Sequence, residues 1–406
     1  MHLSFAWRYF KAKKSANAIN IIAWVTTAVI AFATCCQVLV LSVFNGFEDL
    51  VKSLYSSFYS DLKIVPATGK TFVFTADQIN KIKQQPYVQA VSMVVQEKAL
   101  LQNGENQPVV NLKGVDENYE KVSGLPGKVT TGKFDTGTPD DPNLVIGYGL
   151  QNAADITVNE AFAPTQVTLV LPKKNSSSSD PTASISEGFA KATSVFTIQQ
   201  EFDNNYAITN IDFIKQLAGL APDEFSAAEI KLKPGENIDT RMTDLQKIAG
   251  SAVIVQSRYQ QNMNLYNTMR MEKWAIYAVL TLILIIAAFT MVSALTILVL
   301  EKKKDISILQ SMGATRSFIR KIFLSEGLLL GGIGAVCGIG LATIICLLQV
   351  KFKLIKLQGG SFLIDYFPVK LVASDFLLVG GSAALIALLA SLSPAIKASR
   401  QAIELK

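Results

Sequence analysis

Histidine is almost missing: the single one among 406 residues is His2. That excludes a Ser-His-Asp triad, a histidine general base and a His-built zinc site. Cysteine is scarce too. Cys35, Cys36, Cys337 and Cys346 all lie inside apolar runs, which reads as inert core thiols and leaves the middle of the chain no disulfide or thiolate site. Charge is thin, at 17% of residues against ~25% in a typical soluble domain. Apolar residues make up 50% of the chain and mean hydropathy is +0.32, high for a protein that must show its whole surface to water. At roughly 150 residues per unit, the length points to two or three structural units, and the composition to a membrane protein.

The charge is also uneven. Residues 46–270 carry 20 Lys and Arg against 25 Asp and Glu, a net −5, and the rest of the chain a net +11. The excess base flanks apolar runs, so it reads as membrane topology and not as a nucleic-acid footprint. Four runs approach the ~20 apolar residues a spanning helix needs. They predict transmembrane helices over 19–44, 271–300, 322–350 and 375–396. Between them lie a cytoplasmic interfacial segment 1–18, an outer domain 45–270, a cytoplasmic segment 301–321, an outer loop 351–374 and a cytoplasmic tail 397–406. The first run is too long for a signal-peptide core, and its cleavage-like Ala31-Phe32-Ala33 sits mid-run. Lys and Arg at 8–14, 302–321 and 397–406 put both termini inside, although Lys351, Lys353, Lys356 and Lys370 dissent. Leu3, Trp7 and Phe10 recur about once per turn, which suits a helix lying on the inner leaflet.

Within 45–270 short strands alternate with short helices, predicting an α+β domain. Strands are expected at 61–66, 88–101, 109–112, 144–146, 166–171, 195–198 and 229–232, and helices at 77–84, 149–154 and 211–218. Gly127-Lys-Val-Thr-Thr-Gly132-Lys133 has the spacing of a phosphate-binding loop. Phe134 stands where the magnesium-holding hydroxyl should be, so the segment is read as a decoy. In the third span Gly327, Gly331, Gly334 and Gly338 form one stripe, suited to close packing either within the chain or against a second copy. Glu326 is either a functional intramembrane carboxylate or an interfacial one. In the cytoplasmic segment, Asp305 to Gln310 predicts a short helix with Ile306 and Leu309 on one face, ended by Gly313.

Residues 299–340, VLEKKKDISILQSMGATRSFIRKIFLSEGLLLGGIGAVCGIG, resemble the segment joining the second and third spans of MacB/FtsX-type ABC permeases. VLSVFNGFEDL at 40–50 resembles a signature of the lipoprotein-releasing, Lol-type permeases in that superfamily. Asp61-Leu-Lys-Ile, Leu144-Val-Ile-Gly, Met271-Glu-Lys273, Phe367-Pro368, Asp375 and Pro394 agree with it. Two features depart from the pattern. The Gly-Asp before Val167-Thr-Leu is missing, and 172–189 is Ser-rich without a recognisable hook for a periplasmic carrier.

The resemblance implies an inner-membrane permease subunit with four transmembrane α-helices plus a large extracytoplasmic α+β domain. Its partners would be a cytoplasmic ABC ATPase dimer, a second permease, identical or homologous, and triacylated lipoproteins, with a periplasmic carrier left open and no nucleic acid. ATP and magnesium would sit on the ATPase, leaving this chain without a cofactor, a metal or a catalytic residue. Asp305, Ile306, Leu309, Met312, Gly313, Ala314 and Arg316 are the expected coupling contact. Phe44, Asn45, Gly46, Phe47, Met269, Trp274 and Tyr277 are the expected contact to membrane lipid or a lipid anchor. MacB-type efflux and FtsX-like signalling are the rival roles.

Overall fold

The computed structural model describes residues 17–159, 163–174, 184–357 and 366–401; side chains are described from residue 21. The predicted interfacial helix falls outside these residues up to residue 16, and so does half of the carrier-hook region, 175–183. In chain order the elements are helix α1 (Asn17–Phe58), strands β1 (Leu62–Pro66) and β2 (Phe72–Val73), helix α2 (Ala76–Lys83), strands β3 (Val88–Gln102) and β4 (Val109–Val115) and helix α3 (Tyr119–Val122). Then follow β5 (Val129–Thr131), β6 (Asn143–Gly147), α4 (Tyr148–Ala153), β7 (Thr165–Pro172), β8 (Ile185–Phe196), α5 (Gln200–Asp203), β9 (Tyr206–Asn210) and α6 (Ile211–Ala218). The chain ends with β10 (Glu224–Phe225), β11 (Ala227–Leu232), α7 (Ile238–Ala249), β12 (Val253–Ser257), α8 (Arg258–Gln261), α9 (Met263–Glu301), α10 (Lys303–Ser311), α11 (Arg316–Phe352) and α12 (Ala373–Ser399).

Two units divide the chain. Residues 51–266 form one; residues up to 50 and from 267 onward, apart from a short stretch at 359–363, form the other. The second unit holds α9, α11, α12 and most of α1, each long and apolar enough to cross a bilayer. The hydroxyls of Thr26, Thr27 and Thr34 donate to carbonyls one turn back, so no polar group on these residues is left facing hydrocarbon. The glycine stripe of α11 is used inside the chain. A Cβ on Gly327 or Gly331 would lie 2.4 Å from Ser391 or Ala387 of α12, and one on Gly338 2.0 Å from Thr34 Oγ1 of α1. Gly334 meets the Thr27 carbonyl in the same way, at 2.9 Å. Close backbone approach thus locks α11 between α12 and α1. Glu326 lies inside this packing at 2% exposure. Cys35 and Cys346 are core residues, whereas Cys337 is on the outer face of α11, a correction to its reading as core.

The other unit is built on a mixed sheet, ten-stranded among the described residues, in the order β12-β1-β11-β3-β4-β9-β6-β8-β5. β7 pairs both β8 and the far end of β3, so β3, β4, β9, β6, β8 and β7 close into a ring of paired strands. The fifteen residues of β3 make this possible, because its first half pairs β11, residues 94–100 pair β4 and its last three residues pair β7. Helix α6 starts where expected because the Asn210 side chain accepts from the Asp212 and Phe213 amides, and it ends at Gly219 in the left-handed conformation. The phosphate-loop decoy folds as a 3-10 turn followed by strand β5, with Gly132 at φ +76° beyond it, not as the strand, loop and helix that cradle phosphate.

Candidate functional site

The membrane unit brings three sequence-distant residues together at the start of α12 and where the apolar run of α9 begins, about three turns into that helix. Lys273 Nζ donates to Asn45 Oδ1 at 2.8 Å and to the Asp375 carboxylate at 3.2 and 3.3 Å; Asn45 Nδ2 donates to Asp375 Oδ2 at 2.6 Å. Asn45 and Asp375 are buried, at 5% and 8% exposure, so this network joins α1, α9 and α12 through charge-assisted bonds in a poorly hydrated place. Beside it opens a cavity of about 300 Å³ lined by Leu41, Lys273, Trp274, Tyr277, Ser374, Asp375 and Leu378. Trp274 and Tyr277 stand edge to face, 5.8 Å apart.

Of the residues expected to meet lipid, Trp274 and Tyr277 thus share a cavity, and Asn45 is bonded to its charged rim. Gly46 and Phe47 are turned to a different neighbour. A Cβ on Gly46 would lie 2.3 Å from the Pro368 carbonyl oxygen, and Phe47 meets Phe367 edge to face at 5.8 Å. The Lys370 amide donates to the Ser42 carbonyl at 2.9 Å, and its ammonium pairs with Asp49. Residues 367–370 therefore strap α1, which runs unbroken through Asn45-Gly46 to Phe58 although its apolar run is interrupted there. Phe44 and Met269 are half-buried and are not among the cavity's lining residues. The wall supplied by Leu41, Ser374 and Leu378 was not foreseen. A Lys and an Asp at the starts of two separate spans were the available signal for their pairing.

The predicted coupling helix is α10. Gly313 at φ +92° and Ala314 donate to the Gln310 and Leu309 carbonyls, closing a Schellman cap, and Thr315 caps α11 by accepting from Phe318. Asp305 pairs with Lys302 at 3.0 Å, and Arg316 is exposed. Ile306 corrects the expected outward face: at 3% exposure it packs with Leu298, Val299, Ile319, Phe323, Ala395 and Ala398. Leu309 is half-buried. The apolar residues that α10 turns outward are Ile308 and Met312, one turn apart and 59% and 80% exposed.

Comparison with known proteins agrees with this architecture. The model of the MacB-like periplasmic core domain matches residues 23–248, and that of the FtsX-like permease C-terminal domain residues 277–403. The chain is 27% identical to the lipoprotein-releasing system transmembrane protein LolE of Haemophilus influenzae, across 97% of this chain and 96% of that one. It is 26% identical to LolC of Neisseria meningitidis, again across 97% and 96%. The crystal structure of the periplasmic region of MacB from Actinobacillus actinomycetemcomitans covers 54% of the chain at 13% identity, with a TM-score of 0.37. Four helices long and apolar enough to cross a membrane, an α+β domain between the first two and the FtsX-like match together define a membrane permease. The chain belongs to the MacB-like periplasmic core domain family and, with its FtsX-like C-terminal domain, is a Lol-type permease of the MacB/FtsX superfamily.

Proposed function

We propose that this chain is the membrane subunit of an ABC transporter that lifts lipoproteins from the outer leaflet of the inner membrane toward the outer membrane. The observation that carries the reading is similarity over nearly the whole length of chains named for lipoprotein release, membrane helices and outer domain together. Two permeases, identical or homologous, work with a cytoplasmic ATPase dimer, which binds ATP and magnesium; this chain performs no covalent chemistry. The termini, α10 and the basic segment around it face the cytoplasm, and the MacB-like domain faces the periplasm. Three of the four dissenting lysines weigh less against that orientation because they are engaged locally: Lys351 and Lys353 lie over the Phe352 and Tyr366 rings, and Lys370 pairs with Asp49. Ile308 and Met312 of α10 enter the ATPase, while Ile306 anchors that helix to the bundle, so nucleotide-driven movement reaches α9 and α11. The lipid anchor is held against Phe44, Phe47 and Met269 at the outer ends of α1 and α9, and a periplasmic carrier receives the released protein.

Depletion of the chain in living cells tests this. Lipoproteins destined for the outer membrane should accumulate in the inner-membrane fraction within a few doublings. Normal sorting after full depletion would contradict the proposal.

A further inference from the structure

The cavity beside Lys273 is graded along its depth. Lys273, Trp274, Ser374 and Asp375 lie at the starts of their spans, and Tyr277 and Leu378 lie one turn deeper on the same helices. Leu41 is one turn below Asn45 on α1, so the floor is apolar and the rim polar. The volume sets the size of an occupant. At about 10–15 Å³ of such space for each water-sized group, a methylene included, about 300 Å³ holds roughly one acyl chain and not three. The rim sets its chemistry. Lys273 gives one hydrogen to Asn45 Oδ1 and one to the two Asp375 oxygens together, at 3.2 and 3.3 Å, and with its side chain still 29% exposed the third hydrogen of the ammonium can turn to a further oxygen. The Asp375 side chain is 12% exposed and already accepts from both partners, so an incoming anion meets the ammonium and not a bare carboxylate.

We propose that this cavity is a site for a phospholipid of the surrounding bilayer, one acyl chain lying against Leu41, Tyr277 and Leu378 and the phosphate diester meeting Lys273. The release substrate is the less fitting occupant: a triacylated cysteine has three chains and no phosphate, so it overfills the floor and brings no anion to the ammonium. A resident phospholipid would brace α1, α9 and α12 where the strap and the ion network already hold them. The inference rests on the proposed function only for calling this end of the helices the outer-leaflet end.

The test uses the full-length permease in nanodiscs of phosphatidylethanolamine and phosphatidylglycerol containing a trace of phosphatidylglycerol with a photoreactive acyl chain. After illumination, label should map to peptides containing Leu41, Tyr277 and Leu378. Leu378→Trp fills the floor and should lower that labelling about tenfold. Leu377→Trp, at a neighbouring position that is 79% exposed, should leave it unchanged. Leu41→Phe is a second filling variant should Leu378→Trp fail to fold, and the wild-type map stands without either. Unlabelled phosphatidylglycerol should compete and a synthetic triacylated lipopeptide should not. Label spread evenly over the exposed helix faces would overturn the proposal. So would competition by the lipopeptide alone, which would make the cavity a substrate subsite. Lipoprotein release is scored separately, so a chain that binds phospholipid but releases nothing fails the function and not this site.

Discussion

Two ion pairs, one in each unit, each join a lysine to a carboxylate and are differently placed. In the outer domain Lys113 of β4 reaches Glu229 of β11 at 2.8 Å, across the intervening strand β3, and each side chain is 2% exposed. The Tyr119 hydroxyl takes a second hydrogen from Lys113 at 3.0 Å, and the rings of Phe58 and Tyr119 cover the ammonium at 4.8 and 4.6 Å. Burial works against that charge, but the Glu229 carboxylate and Tyr119 outweigh it and hold the Lys113 pKa above the ordinary lysine value. In the membrane unit Lys273 and Asp375 are 3.2 Å apart and open onto a cavity. The sealed pair has no route to a ligand, so its role is to fix which strands and which helix end lie together. The open pair keeps a donor for something outside it. Burial alone therefore does not mark a functional charge; access beside it does.

The largest expected effect separates the two pairs directly. Lys113→Met leaves Glu229 charged, sealed and unpaired, and should cost about 3–5 kcal/mol in the thermal or denaturant unfolding of the outer domain. Lys273→Met leaves Asp375 with Asn45 and with water entering through the cavity, and should cost about 1 kcal/mol. Equal losses would erase the distinction. Packing in the membrane unit gives the next contrast. Gly338→Val drives side-chain atoms into Thr34 and the Ala31 carbonyl and should cost about 3 kcal/mol, read as lower thermal stability in detergent. Gly332, with nothing within 4 Å of its Cβ position, should accept Val with little change.

A third prediction concerns a carboxyl that has no cationic partner among the described residues. Burial pushes Asp203 up to about 6, against the pull of the Ile198 and Gln199 amides. The folded domain therefore holds this proton more tightly than the unfolded chain does. Its contribution is fully present below about pH 4 and is lost as pH rises toward 6. Asp203→Asn keeps an acceptor for the Ile198 amide, at 2.9 Å in the wild type, and should remove a decline of at most about 3 kcal/mol from the stability profile across that window. An unchanged slope would contradict the assignment. The smallest effect lies on α10. Ile308→Asp with Met312→Asp should weaken ATPase copurification by about 2 kcal/mol of binding energy and leave the permease folded. Ile306→Asp should instead lower permease abundance, because it places a charge in a core.

Much of the fold was legible where local chemistry is strong. Helix α6 carries its own signals, a capping Asn210 and a closing Gly219, and occurs where expected; the strand expected at 88–101 is closed by a turn at Asn103-Gly104. β8 was expected over 195–198 and runs Ile185–Phe196, because its inward positions at 188, 190, 192 and 194 are Gly, Ala, Ala and Ser and give no apolar alternation. Helix α7 was missed because its face is mostly polar, and strand β12 because only three apolar residues mark it. The ring of strands depends on pairings between β3 and β7, about seventy residues apart, which period and composition do not encode. At the site the same division holds. Trp274 and Tyr277 show an interfacial pattern within one helix, whereas the opposing wall on α12 depends on which helices pack together. The inward turn of Ile306 was hidden because a short amphipathic helix shows a face without showing what that face meets.

The account's central claim is that ATP hydrolysis on a partner drives this chain to release a lipoprotein. The full permease, reconstituted with its ATPase in proteoliposomes carrying a triacylated lipoprotein, measures it directly when soluble lipoprotein bound to an added carrier is counted with and without ATP. Release that requires ATP and is lost in Ile308→Asp, Met312→Asp is the predicted result. Hydrolysis stimulated by the permease with no lipoprotein leaving the membrane would contradict it.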